Sequence, residues 1–541
     1  MKPKVLSFFQ ASPYRSILLL ALVVRLLAAV FARGYGMHDD HFCVIEPAQS
    51  WVDGTDYNNW LPQHQEHPSP QGHSFFYVGI HFLLFSFLQM LGCTDPQWKM
   101  FIVRLLHGLL SLLTVACGYK IAERVAGQKV AVKAGLLLAL CWFAPFFSVR
   151  NLVEAAAIPF LFWSTWIIYK TTGRSTRLFH LFVAGLIAGV AFSLRFQTLV
   201  FIGGMGIALL IEKKWKETLS LALGTIISIA IIQGLPDLFI WGRPFAEMTE
   251  YIRYNLVHRY EYGINRYTLY LEVIGGFLIP PVCFLFFWGY FSQWKKQLLL
   301  FLPSFLFLVF HTWFPNKQER FIYTIVPFVV LLGVIGWEDF YERVLAGKAE
   351  WNKWNRRIWN FFWIVNTFLL IVLTFTYSKR SRVESMVWLG RHNRSLQAFL
   401  IDDVNRRSPV MTPLFYTGQW PVSYQIGNEP LPDSSFRYRL VRDDRYNKVI
   451  YSYDFFRQPG VLCPQYVLFA DSSHLQQRIA HARKYFPHLQ YRETIRPGLV
   501  DRLITKINPF NRNEYFFIYE VLPRHEDTNT ASAGEKQEGK H

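Results

Sequence analysis

Cysteine is scarce in this chain: six in 541 residues, with no two spaced Cys-x-x-Cys. That excludes a disulfide framework or a cysteine-based zinc site as what holds the molecule together. Charge is thin as well. Only 17% of residues are Asp, Glu, Lys or Arg, against about 25% in an average soluble domain. Acids are the minority among them, 38 against 56 Lys and Arg, which leaves a net charge of +18. No segment repeats, which disfavours the duplicated halves of many transporter folds. No small-residue cleavage site follows the first apolar run, so that run is kept as a helix.

What the chain has instead is apolar residues, 52% hydrophobic and 17% aromatic, gathered in blocks of membrane-spanning length. It reads as an integral membrane protein. In a soluble chain a charge of +18 would suggest nucleic acid as a partner. Here lysines and arginines flank membrane helices and face anionic lipid headgroups or a phosphate-bearing substrate, so nucleic acid is set aside.

Candidate spans are 16–33, 74–92, 101–119, 130–149, 152–170, 178–194, 196–212, 217–235, 269–291, 297–314, 320–337 and 357–377. Lys2, Lys4 and Arg15 place the N-terminus inside, and Lys120, Arg124, Lys129 and Lys133 form a second inside cluster. Only an even number of crossings joins the two. The run 74–92, which carries His81 and Gln89, is therefore expected to lie at the interface, making 34–100 one external loop. The expectation is about 11 crossings, with the stretch 236–268 and everything after 378 outside. The short alternating runs Lys448–Tyr453 and Tyr466–Ala470 predict a small mixed α/β domain over 378–524, and the polar tail 525–541 is expected to be disordered. The spanning part is 1–377.

Two groups of residues stand out on this thread. The first is Met37-His38-Asp39-Asp40-His41-Phe42, a pair of carboxylates where an apolar helix leaves the membrane. A carboxylate there suits a general base acting on a membrane-bound substrate. The second is a set of cations on the side where the positive-inside rule predicts few: Arg104, Arg150, Arg195, Lys317 and Arg320. As a set they ask for an anion, and a lipid phosphate at the outer leaflet is one. Arg25, inside the first span, calls for structural pairing. The external stretch with Trp241, Tyr254-Asn255, Tyr262-Gly263 and Tyr267 has aromatics that anchor an interface and that also stack on sugars.

Taken in order, these segments resemble the Alg9-like mannosyltransferases, glycosyltransferase family 22 of the GT-C superfamily. The family's His-Pro-Asp-Glu segment has its counterpart in Met37-His38-Asp39-Asp40-His41-Phe42, with Asp39 on its Asp and Asp40 on its Glu, followed by Ile45-Glu46-Pro47-Ala48. Val103-Arg104-Leu105-Leu106, Val149-Arg150-Asn151-Leu152-Val153-Glu154, and Leu194-Arg195-Phe196-Gln197-Thr198 are similar to its next three motifs. Its His-Lys-Glu-Glu-Arg-Phe is similar to Asn316-Lys317-Gln318-Glu319-Arg320-Phe321. Asn316 and Gln318 depart from the pattern, as do His38 and Asp40, and the resemblance fades after about residue 380.

The resemblance implies a mainly α, GT-C-type membrane enzyme. It would transfer mannose, with inversion, from polyprenyl- or dolichyl-phosphate mannose to a lipid-linked or surface glycan outside the cytosol. It implies Asp39 as the base with Asp40 beside it, and Lys317, Arg320, Arg195 and Arg104 on the donor phosphate. Glu46, Arg150, Tyr254, Asn255 and Tyr262 are the implied substrate contacts. No metal or other cofactor is assigned. The rival readings are another GT-C branch, such as protein O-mannosyl or lipid A aminoarabinose transferases, and a lipid transporter. The sequon Asn393-Arg394-Ser395 suits the endoplasmic reticulum, whereas short external parts lean toward a bacterial inner membrane.

Overall fold

The computed structural model describes residues 12–261, 266–403, 411–426, 433–507 and 513–523. The expected disordered tail and the candidate Tyr262 lie outside the described residues. The chain forms two compact units, one of Met1–Val52, Trp60–Cys93 and Trp98–Thr376, the other of Asp53–Asn59, Thr94–Gln97 and Tyr377–His541.

The first unit is helical. Helix α1 (Pro13–Phe31) starts on a proline, whose missing N–H costs nothing at that position, and runs apolar through nineteen residues. Arg25, the charge at its middle, is buried and satisfied: Nε donates to Ser111 Oγ at 2.7 Å and Nη1 to the Ala139 carbonyl at 3.0 Å. A helical turn His38–Asp40, a π turn His41–Ile45 and α2 (Glu46–Val52) follow, then α3 (Phe75–Met90). The helical stretch α4 covers Pro96–Leu140. After it come α5 (Val153–Lys170), α6 (Arg177–Leu194), α7 (Thr198–Ile211) and α8 (Trp215–Ile229). The rest of the unit holds α9 (Ala246–Val257), α10 (Leu269–Phe277), α11 (Val282–Ser292), α12 (Leu298–Trp313), α13 (Val326–Phe340) and α14 (Ala349–Thr374).

Among the described residues, six helices are long and apolar enough to cross a membrane, or seven if α10 and α11 form one bent span. Three shorter apolar helices, α3, α7 and α12, accompany them. The segment Phe321–Leu345, which contains α13, is buried along its whole apolar window and forms the middle of the bundle. Helices whose outer faces meet lipid gain little from hydrophobic burial, so close backbone contact matters more. It is visible where α6 meets α8: a Cβ on Gly185 would lie 2.1 Å from the Leu221 carbonyl oxygen, and one on Gly224 2.1 Å from that of Phe182.

Three boundaries differ from the expected ones, each for a local reason. The expected runs 101–119 and 130–149 are two helices of the stretch Pro96–Leu140, parted at Gly127, φ 82°, and the second ends at Leu140, with a separate short helix Ala144–Ser148 after it. The span after Trp215 does not stop at 235 but continues through a π turn (Ala230–Gly234) to Trp241, so the first residues of the expected external stretch are helical. The run 269–291 is bent by 114° between α10 and α11, where Pro280 and Pro281 deny the backbone donors a straight helix needs.

The second unit carries a seven-stranded mixed sheet in the order β3-β4-β2-β1-β5-β7-β6. Its strands are β1 (Ala398–Asp402), β2 (Val422–Ile426), β3 (Leu440–Asp443), β4 (Asn447–Ile450), β5 (Tyr466–Ala470), β6 (Leu489–Ile495) and β7 (Phe516–Val521). β4, β2, β1 and β5 are parallel to one another, and the edges are antiparallel. β1 and β5 are buried at every position, so Tyr466–Ala470, expected to alternate, is instead a continuous apolar strand covered on both faces. Helix α15 (Arg380–His392) precedes β1 and α16 (Leu475–Ala482) follows β5. From the first external loop, Asp53–Asn59 belongs to this unit: Trp420 Nε1 donates to Asp53 at 2.9 Å and Asn447 Nδ2 to Tyr57 Oη at 2.8 Å.

Candidate active site

The carboxylate pair is held by the way α1 ends. The last carbonyls of a helix have no partner within it. Here Arg104 Nε donates to the Ala29 carbonyl at 2.8 Å. Arg150 Nη1 takes those of Ala32, Arg33 and Gly34 at 2.7, 2.9 and 3.0 Å. The chain then turns at Gly34, φ 78°, and enters the His38–Asp40 turn. Asn151, the residue after Arg150, donates to the Asp40 carbonyl at 2.6 Å, and the Val153 N–H reaches Asp40 Oδ1 at 3.4 Å. The start of α5 thus grips both the end of α1 and the Asp40 backbone.

The two carboxylates have different surroundings. Asp40 is buried, whereas the Asp39 side chain keeps 42% of its surface. Arg320, from the turn between α12 and α13, reaches both. Its Nη2 donates to Asp39 Oδ2 in a close charge-assisted contact, and its Nη1 lies 3.5 Å from Asp40 Oδ2. Nε of the same side chain donates to Gln318 at 2.9 Å and stands 4.0 Å from Glu154 Oε1. Glu154, wholly buried at the start of α5, also forms an ion pair with Arg195, its Oε1 3.0 Å from Nη2. Arg195 lies over the Phe321 ring at 4.8 Å. Five charged side chains from four separate segments therefore form one cluster: Asp39, Asp40, Glu154, Arg195 and Arg320.

Electrostatics separates the pair. Burial raises Asp40, the Glu154 and Asp39 charges add to it, and Arg320 and Arg195 only partly offset them, so its carboxyl is pushed up to about 7. Burial acts the same way on Asp39. There the His38 hydrogen bond and the Arg320 charge outweigh it and hold the carboxyl well below the usual range. Asp39 is thus the accessible carboxylate, held toward its ionised form, and Asp40 the buried one, pushed toward its protonated form.

The structure brings Asp39, Asp40, Arg195 and Arg320 together. It gives other candidates other partners. Arg104 and Arg150, expected on substrate or phosphate, clamp the carbonyl end of α1, which places them as positioning residues. Glu46 is fully buried and faces His41 Nε2 at 3.2 Å, so it points into the fold. Lys317 is buried, with its ammonium 5.0 Å from the Tyr267 ring centroid. Tyr254 is exposed and packs against His258 at 4.4 Å, and Asn255 Nδ2 donates to the Tyr251 carbonyl at 2.8 Å. Neither Glu154 nor Asn151 carried a signal in the sequence beyond its place in a motif. Among the described residues no group of three or more His, Cys, Asp or Glu is arranged to hold a metal ion.

Comparison with known proteins follows the same line. A profile of the Alg9-like mannosyltransferase family matches residues 16–395. No curated protein sequence matches the chain. Among solved structures, ArnT from Cupriavidus metallidurans bound to undecaprenyl phosphate superposes with a TM-score of 0.58 at 12% identity, over 95% of this chain and 99% of that one. Its apo form gives 0.57 at 12% identity, over 94% and 98%. The oligosaccharyltransferase AglB from Archaeoglobus fulgidus gives 0.47 at 10% identity, over 88% and 71%.

Proposed function

Because this chain belongs to the Alg9-like mannosyltransferase family, and so to the membrane glycosyltransferases, we propose that it transfers mannose from a polyprenyl-phosphate donor to a lipid-linked or surface glycan, with inversion, at the extracytoplasmic face. The acceptor hydroxyl attacks the anomeric carbon as Asp39 takes its proton. The bond from that carbon to the phosphate oxygen breaks on the opposite face, and the lipid phosphate departs with the electron pair. One displacement of this kind inverts the configuration. Arg320, with Arg195 and Lys317 near it in the fold, stabilises the phosphate charge as it develops.

The observation that carries this reading is the contact of Arg320 with both Asp39 and Asp40. A base and a phosphate-matching cation stand side by side, as a reaction joining a hydroxyl nucleophile to a phosphate leaving group requires. The fold shared with ArnT, whose structure holds undecaprenyl phosphate, supports a polyprenyl phosphate as the lipid. Asp40 sets the field around Asp39, and Arg104, Arg150 and Asn151 hold the turn that presents it. Tyr254, Asn255 and Tyr262 remain the proposed contacts to acceptor sugar. The bacterial inner membrane is the proposed site, with the endoplasmic reticulum as its counterpart in a eukaryotic host. Incubating the purified protein with radiolabelled polyprenyl-phosphate mannose and a lipid extract of the host tests the reading: a labelled glycolipid supports it, and none with folded protein removes it.

A further inference from the structure

The second unit has a feature that its sheet order explains. The chain leaves β1, builds β2 and β4 on one side of it, and returns to place β5 on the other. The order reverses at β1, and in open parallel sheets the crevice outside the carboxyl ends of the strands at such a reversal is where ligands bind. A shallow crevice, open to solvent, lies at that edge. The ends of three parallel strands line it, at Ile401 of β1, Gln425 of β2 and Ala470 of β5, with Phe516 at the start of β7 beside Ala470. Topology and cavity point independently to the same place.

The walls are held in position. Asp402, ending β1, accepts Tyr453 Oη at 2.7 Å and Arg478 Nε of α16 at 3.1 Å, which pins the strand end under the crevice. Thr412 is tied to β2 twice: its Oγ1 is 2.9 Å from Ser423 Oγ and accepts Gln425 Nε2 at 2.9 Å.

We propose that this crevice is a saccharide-binding subsite, taking a mannosyl unit of the glycan. The identity of the sugar rests on the function proposed above, whereas the site itself does not. Two carboxylates, Asp403 and Glu514, line the crevice, with Arg382, Thr412 and Gln425 as the polar groups around them. Carboxylates accept two hydrogen bonds at once and suit paired hydroxyls, whereas they repel phosphate. The sequence from Asp402 to Phe415 contains no glycine and so lacks the glycine-rich fingerprint of a diphosphate site. The apolar floor made by Phe516 and Met386 matches the C–H face of a pyranose. An uncharged, polyhydroxylated ring with one apolar face is the chemistry that fits.

The test uses full-length protein in nanodiscs and an α-linked mannobiose carrying a diazirine. After irradiation, crosslinked peptides are mapped by mass spectrometry. The expected label falls on peptides that contain Asp403, Thr412 or Phe516, and unmodified mannobiose competes it away. It persists in Asp39→Asn and falls about tenfold in Asp403→Asn and in Glu514→Gln, the loss expected for a hydrogen bond to a charged group. Thermal melting of both variants checks that they remain folded, and the map of the wild type stands independently of them. Label confined to residues 13–376, label that free mannobiose does not compete, or label unchanged in both variants overturns the subsite. Mannosyl transfer without this label removes the subsite and leaves the proposed function standing. This label without transfer removes the mannosyltransferase reading and leaves the subsite.

Discussion

Arg320 and Asp39, 281 residues apart in sequence, meet in a charge-assisted hydrogen bond at the turn that follows the first membrane helix. The base of the proposed reaction and the cation of its leaving group therefore touch before any substrate arrives. Whatever phosphate engages Arg320 also changes the field at Asp39.

Removing Arg320 should accordingly do two things. Arg320→Ala deletes a charge-assisted contact to phosphate, so donor KM should rise about 10–100-fold. It also takes away an interaction that lowers the Asp39 pKa, so the acidic limb of the kcat/KM profile should move to higher pH. Arg174→Ala, in the stretch between α5 and α6, should change neither. Steady-state kinetics across pH with all three proteins checks this, and equal effects of the two substitutions would reduce Arg320 to a structural charge.

Asp40 carries a separate prediction about stability. Its carboxyl is raised to about 7, first by burial and then by Glu154. A group that binds its proton more tightly folded than unfolded contributes stability that is full below about pH 4 and is lost as pH rises toward 7. Asp40→Asn removes that dependence. The difference in Tm between variant and wild type should therefore be more favourable to the variant at pH 8 than at pH 5. A constant difference across that range would mean Asp40 is ionised throughout.

Arg150 should behave as a positioning residue. Arg150→Ala leaves three carbonyls at the end of α1 without their donor, at a cost of about 1–3 kcal/mol in stability. Because the turn that presents Asp39 loosens, kcat should fall while donor KM holds. A rise in donor KM with kcat unchanged would return Arg150 to the substrate.

Much of this site could be read from sequence because membrane threading makes charge conspicuous. Asp39 and Asp40 stand out where an apolar run ends, and Arg195 and Arg320 because cations there need a partner. Threading does not say which partner. Arg104 and Arg150 found uncharged carbonyls at the end of α1, and a count of charges cannot register these. Glu154 is an ordinary acid at the head of an apolar helix until the fold sets it between Arg195 and Arg320. The second unit was legible as mixed α/β from its short apolar strands. Its order was not, because β1 and β5, buried on both faces, carry no alternation that would fix a neighbour. The bend at Pro280-Pro281 shows two residues dividing what hydropathy joins.

The central claim is that Asp39 accepts the proton of the attacking hydroxyl. It is tested most directly by single-turnover transfer of radiolabelled mannose from polyprenyl-phosphate mannose, wild type beside Asp39→Asn, with donor binding measured on both. The account predicts a variant that folds and still binds donor, and that transfers about 10²–10⁴-fold more slowly. Transfer at the wild-type rate would contradict it and remove Asp39 from the chemistry.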